Sequence, residues 1–442
     1  MPAPIRHIES DPSLPGEVDV VVIGGGVSGV FTAWELARRG SRVALVEKGV
    51  IAGEQSSRNW GWCRAQNRDR REVDLARVSL EAWGELASQT GADVGFRRTG
   101  LVFATDQPED IARWEEWKAD HAGSGIESHI LTSDQVAALL PASPKRWLGG
   151  VHSPNDGSAE PGLAGPVVAH AARGFGATVH QNCAVREIEM SGGRVSGVVT
   201  EKGAVKCHSV VVACGAWTGL FLRHHGIGFL QASVQATAIS TGPMPQGPID
   251  VASMESIAYR RRLDGGYTIG SGGTWRLQMS PLGLLQAGAF WKTFLKYRKG
   301  MTVSLGKSFF RGPEALQRWS ADSVSPFERV RILDPLPEKR IVKRAKTMFD
   351  AMFPQLAGVG IVHQWAGMMD FTPDAVPVIA PVIAHPGVFI NSGHSGHGFG
   401  MSPGSGRLTA DLVLNDAPCI DPRPFRYERM IDGTDLGAMG MM

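Results

Sequence analysis

Three stretches of the chain combine residue types that can do chemistry. The run Gly24-Gly25-Gly26-Val27-Ser28-Gly29 follows the apolar residues Val20 to Ile23, and Glu47 closes the next apolar run, Val43 to Val46. Glycines so spaced let backbone amides reach a pyrophosphate at a helix N-terminus, and the acid accepts hydrogen bonds from a ribose. Gly24 is expected to make the turn, Gly26 to admit the pyrophosphate, Gly29 to permit close helix packing and Glu47 to hold an adenosine ribose. The second stretch, Ser56 to Arg71, holds five arginines and two tryptophans. A guanidinium pairs with a carboxylate at two points, and burial beside aromatic walls strengthens the pair. Arg64 is the first choice for that anchor. The alternative is that Arg64, Arg68, Arg70 and Arg71 are solvated at a helix start and paired with Asp69, Glu72 and Asp74. In the third stretch, Tyr259-Arg260-Arg261-Arg262, strand alternation puts Tyr259 and Arg261 on one face and Arg260 and Arg262 on the other. Tyr259 with Arg261 is the pair expected at a site; the alternative is an edge strand whose charges oppose aggregation.

These residues need elements to position them. Val20 to Ile23, a helix from about Val27 to Arg39, and Val43 to Val46 read as one βαβ unit. Helical spacing recurs from Arg71 to Gly91, Pro108 to Ala122, Pro161 to Gly174, Gly283 to Lys299 and Glu338 to Phe353, with a strand in "FRRTGLVFAT" and short strands through 177–217. The expected fold class is α/β, a Rossmann-like dinucleotide-binding domain interleaved with an antiparallel-sheet substrate domain. After a polar lead-in at 1–17, segments 18–75, 145–225 and 361–442 are assigned to the first domain, and 76–144 and 226–360 to the second. A chain of 442 residues is long for a single core and can enclose a sizeable cofactor.

Composition narrows the function. Lys plus Arg number 45 against 43 Asp plus Glu, a net charge of +2, which gives nucleic-acid binding little driving force. The five cysteines are scattered and lack metal spacing, which suits reduced thiols in the cytoplasm and predicts no metal site. His394 and His397 lie in a glycine-rich loop without nearby carboxylates, so they read as donors to a cofactor or substrate rather than metal ligands. Asp370 and Asp374 read as turn or capping residues. No apolar run is long enough to span a bilayer.

The glycine fingerprint does not by itself separate FAD from NAD. No second fingerprint is present, so a flavin here would take electrons directly from an organic substrate. "VVVIGGGVSG…ALVEKG", "VVACGAWT", "WAGMMDFTPDAVPVIAP" and "INSGHSGHGFGMSPGSG", in order from about residue 18 to 415, resemble the FAD-dependent D-amino acid oxidase family, which includes glycine oxidase, sarcosine oxidase and D-amino acid dehydrogenases. The resemblance implies extended FAD, with Gly24, Gly26, Ser28 and Gly29 at the pyrophosphate, Glu47 and Lys48 at the adenosine, and Val185 beside the adenine. It puts Ser56, Ser57, Arg58, Asn59, Trp60 and Gly61 over the isoalloxazine and Cys214, Gly215 and Trp217 along the cofactor. Gly393, His394, Gly396, His397 and Gly398 would serve the pyrimidine end, where helix amides favour negative charge.

The departures from that family are informative. Where glycine oxidase-like members supply an arginine after "WAG", this chain has Met368-Met369-Asp370; no cysteine stands where sarcosine oxidases attach flavin, so non-covalent FAD is expected. The lysine some members place near the flavin has its counterpart near Thr268, which leaves open whether O2 or an electron-transfer acceptor takes the electrons. The resemblance implies oxidation of a C–N bond in a small amino acid or N-substituted amino acid, with hydride transfer to flavin N5 and hydrolysis of the imine. Arg64, Tyr259, Arg261 and His394 are the residues expected to bind and orient that carboxylate-bearing amine. The alternatives are an FAD-dependent 2-hydroxy acid or glycerol phosphate dehydrogenase and a non-catalytic dinucleotide-binding subunit.

Overall fold

The computed structural model describes residues 4–437 apart from 142, 245–246, 256 and 307. A six-stranded sheet carries the glycine motif, in the order Val378–Pro381, Val388–Ser392, Ser209–Val212, Val20–Ile23, Val43–Val46, Thr178–His180. Its pairs are parallel except the first, which is antiparallel. The continuous Val-rich strands are buried on both faces, as parallel sheets require. Helices Val27–Arg38, Pro161–Gly174 and Gly398–Leu414 belong to this layer, and a three-stranded antiparallel sheet, Val185–Ser191, Arg194–Thr200 and Gly203–Lys206, flanks it.

The second sheet has ten strands. From Met301–Ser304 it passes through Trp275–Gln278, Ala232–Thr241, Tyr267–Ser271, Ile257–Arg261, Val251–Met254, Leu101–Thr105 and Gly149–Ser153 to His129–Thr132. The tenth strand, Ile361–Phe371, runs antiparallel to Ala232–Thr241. Pairing is antiparallel except between Val251–Met254 and Leu101–Thr105 and between Trp275–Gln278 and Met301–Ser304. Two strands cross the boundaries drawn from sequence. Gly149–Ser153 and Ile361–Phe371, both assigned to the nucleotide domain, pair within the ten-stranded sheet, because each finds its hydrogen-bonding edge there.

Most helices fall where apolar spacing puts them: Val73–Thr90, Pro108–Asp120, Pro161–Gly174 and Lys339–Met352. The stretch 283–299 divides into Pro281–Leu285 and Ala287–Tyr297, separated at Gln286. No helix among the described residues is long and apolar enough to cross a membrane.

Helix packing beneath the cofactor layer depends on absent side chains. A Cβ on Gly406 would lie 2.7 Å from Phe31 Cβ and 2.8 Å from the Thr32 nitrogen, so Gly398–Leu414 and Val27–Arg38 touch backbone to backbone. Gly406→Ala should cost about 1–3 kcal/mol by overpacking. Thermal unfolding of the variant beside wild type checks this, and an unchanged Tm would show the helices can separate freely.

Candidate active site

The glycine turn forms the head of a cradle. Gly24 has φ +111°, and a Cβ there would sit 2.3 Å from the Ala213 carbonyl oxygen; at Gly29 it would sit 1.9 Å from the Gly24 carbonyl oxygen. Strand, turn and helix therefore pass one another with no space for a side chain. Gly29 does not line the cavity: it lets the helix close against the turn, as its position in the fingerprint predicts. The Val27 amide donates to Ser56 Oγ at 2.9 Å, tying the turn to the next functional segment.

A cavity of about 1150 Å3, counting its open side, starts at this turn. Gly24, Gly26, Ser28, Glu47, Lys48, Val185, Ser56 and Asn59 line it. Cys214, Gly215, Trp217, His394, Gly396 and Gly398 also line it, together with Asp370, read from sequence as a turn or capping residue, and with Glu54, Asn391 and Ser392, which were not singled out from sequence. Glu47 accepts from the Gly25 and Gly49 amides, each at 2.7 Å, and burial pushes its carboxyl above the usual range. Lys48 is held at 2.5 Å by Glu54 and by the carbonyls of Val330 and Arg331, with its ammonium 4.8 Å from the Trp217 ring. Its two carbonyl partners come from a segment distant in sequence, which makes it a brace at the edge of the cradle.

The helix Gly398–Leu414 points its N-terminus into the cavity, with His397 as N-cap. His394 Nε2 meets Ser28 Oγ at 2.9 Å and Asn391 Oδ1 at 3.0 Å, while Nδ1 is buried without a partner. Burial lowers its pKa, favouring the neutral ring. Asp370 is not a turn residue. It sits in strand Ile361–Phe371, where it accepts from the Gly393 amide at 2.7 Å and Ser392 Oγ at 3.2 Å. Gly393 therefore shapes the loop through its amide and its φ of +77°.

A second cavity, of about 2010 Å3 including its mouth, adjoins the first and shares Gln55, Asn59, Gly396 and Phe399 with it. Strand Ile361–Phe371 borders both. By its two-residue period Met368 and Asp370 line the cofactor cavity while Met369 and Phe371 line the other. Trp60, Trp62, Phe103, Trp275 and Tyr297 supply aromatic wall, and Arg58, Arg64, Arg68, Arg113, Lys296 and Lys299 supply positive charge. Among the described residues, no Asp or Glu lines it.

Segment 56–68 reaches this cavity by a series of locks. Asn59 Oδ1 accepts from the Gly61 amide at 2.7 Å, Trp365 Nε1 donates to the Arg58 carbonyl at 2.9 Å, and Asp156 accepts from the Ala65 amide at 2.8 Å. Gly270, where a Cβ would lie 2.1 Å from the Trp60 ring, leaves space for that indole, and Gly61, at φ +82°, passes the Ala159 carbonyl and Arg260 where a Cβ would lie 2.5 Å from each. Trp62 packs edge-on to Trp60 at 5.5 Å and to Phe103 at 6.1 Å. Ser57 is buried and bonds the Glu54 carbonyl; Arg58 is buried, pairing with Asp334 at 2.6 Å and the Ala366 carbonyl at 2.9 Å.

Arg64 and Arg68 are not solvated. They are 8% and 3% exposed, and among the described residues neither makes an ion pair. Arg64 donates to the Gln66 carbonyl and stands 5.9 Å from the Phe103 ring. Burial, then the charge of Arg68, pushes Arg64 down to about 9, which still leaves it protonated at neutral pH. Burial lowers Arg68 as well, and its Nη1 has no partner. Arg71 is the arginine that pairs as the solvated alternative describes, with Asp69 and also with Asp374, which lies in a turn where it accepts from the Val376 amide at 3.3 Å and is buried beside Arg429.

Tyr259 and Arg261 are not in the site. Ala258 lines the cavity, so Tyr259 points to the opposite face of its strand, packed on Tyr267, Phe349 and Phe353; Arg261 follows it, 3.8 Å from Asp250. The ring is large and apolar enough to be drawn into the helix-covered core, and burial raises the pKa of its hydroxyl well above normal. Arg260 lies on the site-facing side, donating to the Trp60 carbonyl at 2.7 Å and to Glu160 at 2.8 Å. It fixes the tryptophan loop. Glu54, Phe103 and Lys296 lacked any local signal, since each gains meaning only from what packs on it.

A glycine cradle heading a parallel sheet, continuous with a cationic aromatic cavity under a second sheet, is the layout of a dinucleotide-dependent oxidoreductase. Residues 19–412 match the DAO family, FAD dependent oxidoreductase, and the chain belongs to that family. It is 28% identical to 4-methylaminobutanoate oxidase (formaldehyde-forming) of Paenarthrobacter nicotinovorans over 94% of this chain, although it spans only 46% of that enzyme. Glycine oxidase of Pseudomonas aeruginosa is 27% identical, covering 92% of this chain and 97% of its own length. Among solved structures, L-amino acid deaminase from Proteus myxofaciens in complex with anthranilate superposes with TM-score 0.92 at 29% identity, over 97% of this chain and 98% of the other. The deaminase from Proteus vulgaris gives 0.89 at 30% identity, over 95% and 99%.

The cradle fits FAD in its own chemistry. Gly24 and Gly29 admit no side chain, Glu47 retains acceptor capacity beyond its two amide bonds, and His394 Nδ1 waits buried without a partner. Glu47→Gln should weaken retention of the cofactor roughly tenfold or more by replacing charge-assisted hydrogen bonds. Reconstitution titrations followed by flavin fluorescence measure it.

Asp156 supports the arginine loop from below and is fully buried. Burial lifts it from 3.8 to about 6. Its contribution to stability is full below the unfolded value of 3.8 and is lost as pH rises through the folded value of about 6. Asp156→Asn removes that dependence, so the Tm difference should shift in favour of the variant between pH 4 and 7. Parallel Tm profiles would contradict the burial argument.

Proposed function

We propose that this member of the FAD dependent oxidoreductase family oxidises the C–N bond of an amino acid or N-substituted amino acid whose carboxylate is bound by Arg64 and Arg68. The observation that carries this reading is the pair of buried guanidiniums that, among the described residues, have no ion-pair partner and line a cavity with no acid, beside the glycine cradle. Gly24, Gly26, Glu47 and the Gly396–Gly398 segment would hold FAD non-covalently, and bound FAD would supply a two-electron acceptor for oxidation at the carbon bearing nitrogen.

The chain's own residues bind, orient and exclude water. Arg64 and Arg68 offer the carboxylate planar donors in a low-dielectric setting, where pairing is strong because the charges are already desolvated. Trp60, Trp62 and Phe371 close the apolar sides, and the small residues Ala236, Ala238 and Ala258 leave depth for a large side chain. A cavity this large and aromatic favours a bulky apolar or aromatic substrate over glycine. The anthranilate named in the Proteus myxofaciens complex, an aromatic aminocarboxylate, agrees with that preference.

Purified protein should be yellow and should bleach anaerobically with an aromatic amino acid or its N-methyl derivative, not with the matching 2-hydroxy acid. Bleaching by the hydroxy acid alone would overturn the reading. Arg64→Ala should lower kcat/KM for the acid about 100-fold and leave the corresponding amide little changed. Equal losses for acid and amide would remove Arg64 from carboxylate recognition.

A further inference from the structure

Beside the arginine pair stands a histidine whose hydrogen bonding is half complete. His397 lines the substrate cavity, and its Nδ1 lies 3.1 Å from Glu72 Oε2 and 3.3 Å from Oε1. A carboxylate only accepts, so Nδ1 carries the ring proton and Nε2 presents a lone pair. That Nε2 is buried and has no partner. Arg68 Nη1, on another cavity-lining residue, is a buried donor with no partner. The two orphans belong to one cluster, since Arg68 and Arg64 are the positive charges felt at His397 and Glu72 and Asp69 the acids that couple to it.

Leaving either group unsatisfied is costly, because neither is reached by water. One ligand chemistry completes both: a carboxylate for the guanidinium and, on the same small molecule, an N–H for the imidazole. We infer that His397, oriented by Glu72, accepts a hydrogen bond from the substrate's nitrogen and makes the site specific for an amine bound in its neutral form. This rests on the carboxylate reading above and adds the nitrogen end to it.

The electrostatics agree with the geometry. Burial, and then the charge of Arg68, lowers His397 to about 4, so the ring is neutral across the physiological range and serves as an acceptor. The same two guanidiniums oppose a further positive charge, so an ammonium is disfavoured and a free amine is admitted. No proton need pass to the ring. The amine releases its proton to water before binding, and its nitrogen lone pair stays available to the carbon being oxidised.

Benzoate and anthranilate make a matched pair of probes, alike in ring and carboxylate and differing by one amino group. Their dissociation constants are read from the perturbation of the flavin spectrum in the holoenzyme. Wild type should bind anthranilate roughly tenfold more tightly than benzoate, the discrimination of one buried hydrogen bond. His397→Ala should bring the two together by weakening anthranilate alone, and His397→Gln, which keeps an acceptor and a donor to Glu72, should restore part of the difference. With an amino acid substrate, His397→Ala should raise KM more than it lowers kcat. Equal affinities in wild type, or equal weakening of both probes in His397→Ala, would overturn the role of His397 while leaving carboxylate binding standing. Failure of wild type to bind benzoate at all would remove the carboxylate reading and this inference with it.

Discussion

The rest of the site depends on keeping two guanidinium groups out of water without a carboxylate at ion-pair distance. Withdrawing such a charge from solvent costs several kcal/mol unless something compensates it. Part of the compensation is local, from the carbonyls of Gln66 and Arg64, which accept from Arg64 and Arg68. Part is longer in range, from Glu72 and Asp156, both fully buried and both felt by each arginine. Neither acid reaches the cavity wall, so the field there stays positive.

That arrangement demands a stiff support. Ser128 and Ser153 hydroxyls both donate to Gln66 Oε1 at 2.7 Å, Gln66 Nε2 donates to Asn67 Oδ1, and Trp117 Nε1 donates to the Arg68 carbonyl at 2.8 Å. Three separate parts of the chain thus hold the arginine loop. A satisfied buried network of this kind is rigid, because any displacement leaves several polar groups unpaired at once. The same segment begins at Ser56, bonded to the glycine turn, so cradle and arginine-lined cavity are positioned by one continuous piece of backbone.

Strand Ile361–Phe371 makes the complementary link from the other side. Ten residue pairs with Ala232–Thr241 fix its register, and its alternation sends Met368 and Asp370 to one cavity and Met369 and Phe371 to the other. A one-residue slip would exchange the two sets, so register here is a functional constraint as well as a structural one. The absence of an arginine after "WAG" follows the same logic. Positive charge enters from the arginine loop instead, and an acid occupies the cofactor side, bonded to the Gly393 amide.

By itself the sequence determined whatever depends on neighbours along the chain. The βαβ unit, the glycine turn with its acid, the long helices and the Val-rich strands were all legible, because short-range periodicity and the steric needs of glycine act within a few residues. Alternation correctly separated Tyr259 from Arg260, and could not say which face met the cavity. Only the tertiary structure decided that, by drawing the tyrosine ring into an aromatic core supplied by Phe349 and Phe353. It likewise decided that Arg64 and Arg68 are buried while Arg71 is paired, and that Glu72 meets His397. Charge environment is a property of what packs around a residue, and those partners come from chain positions too far apart for any local pattern to encode.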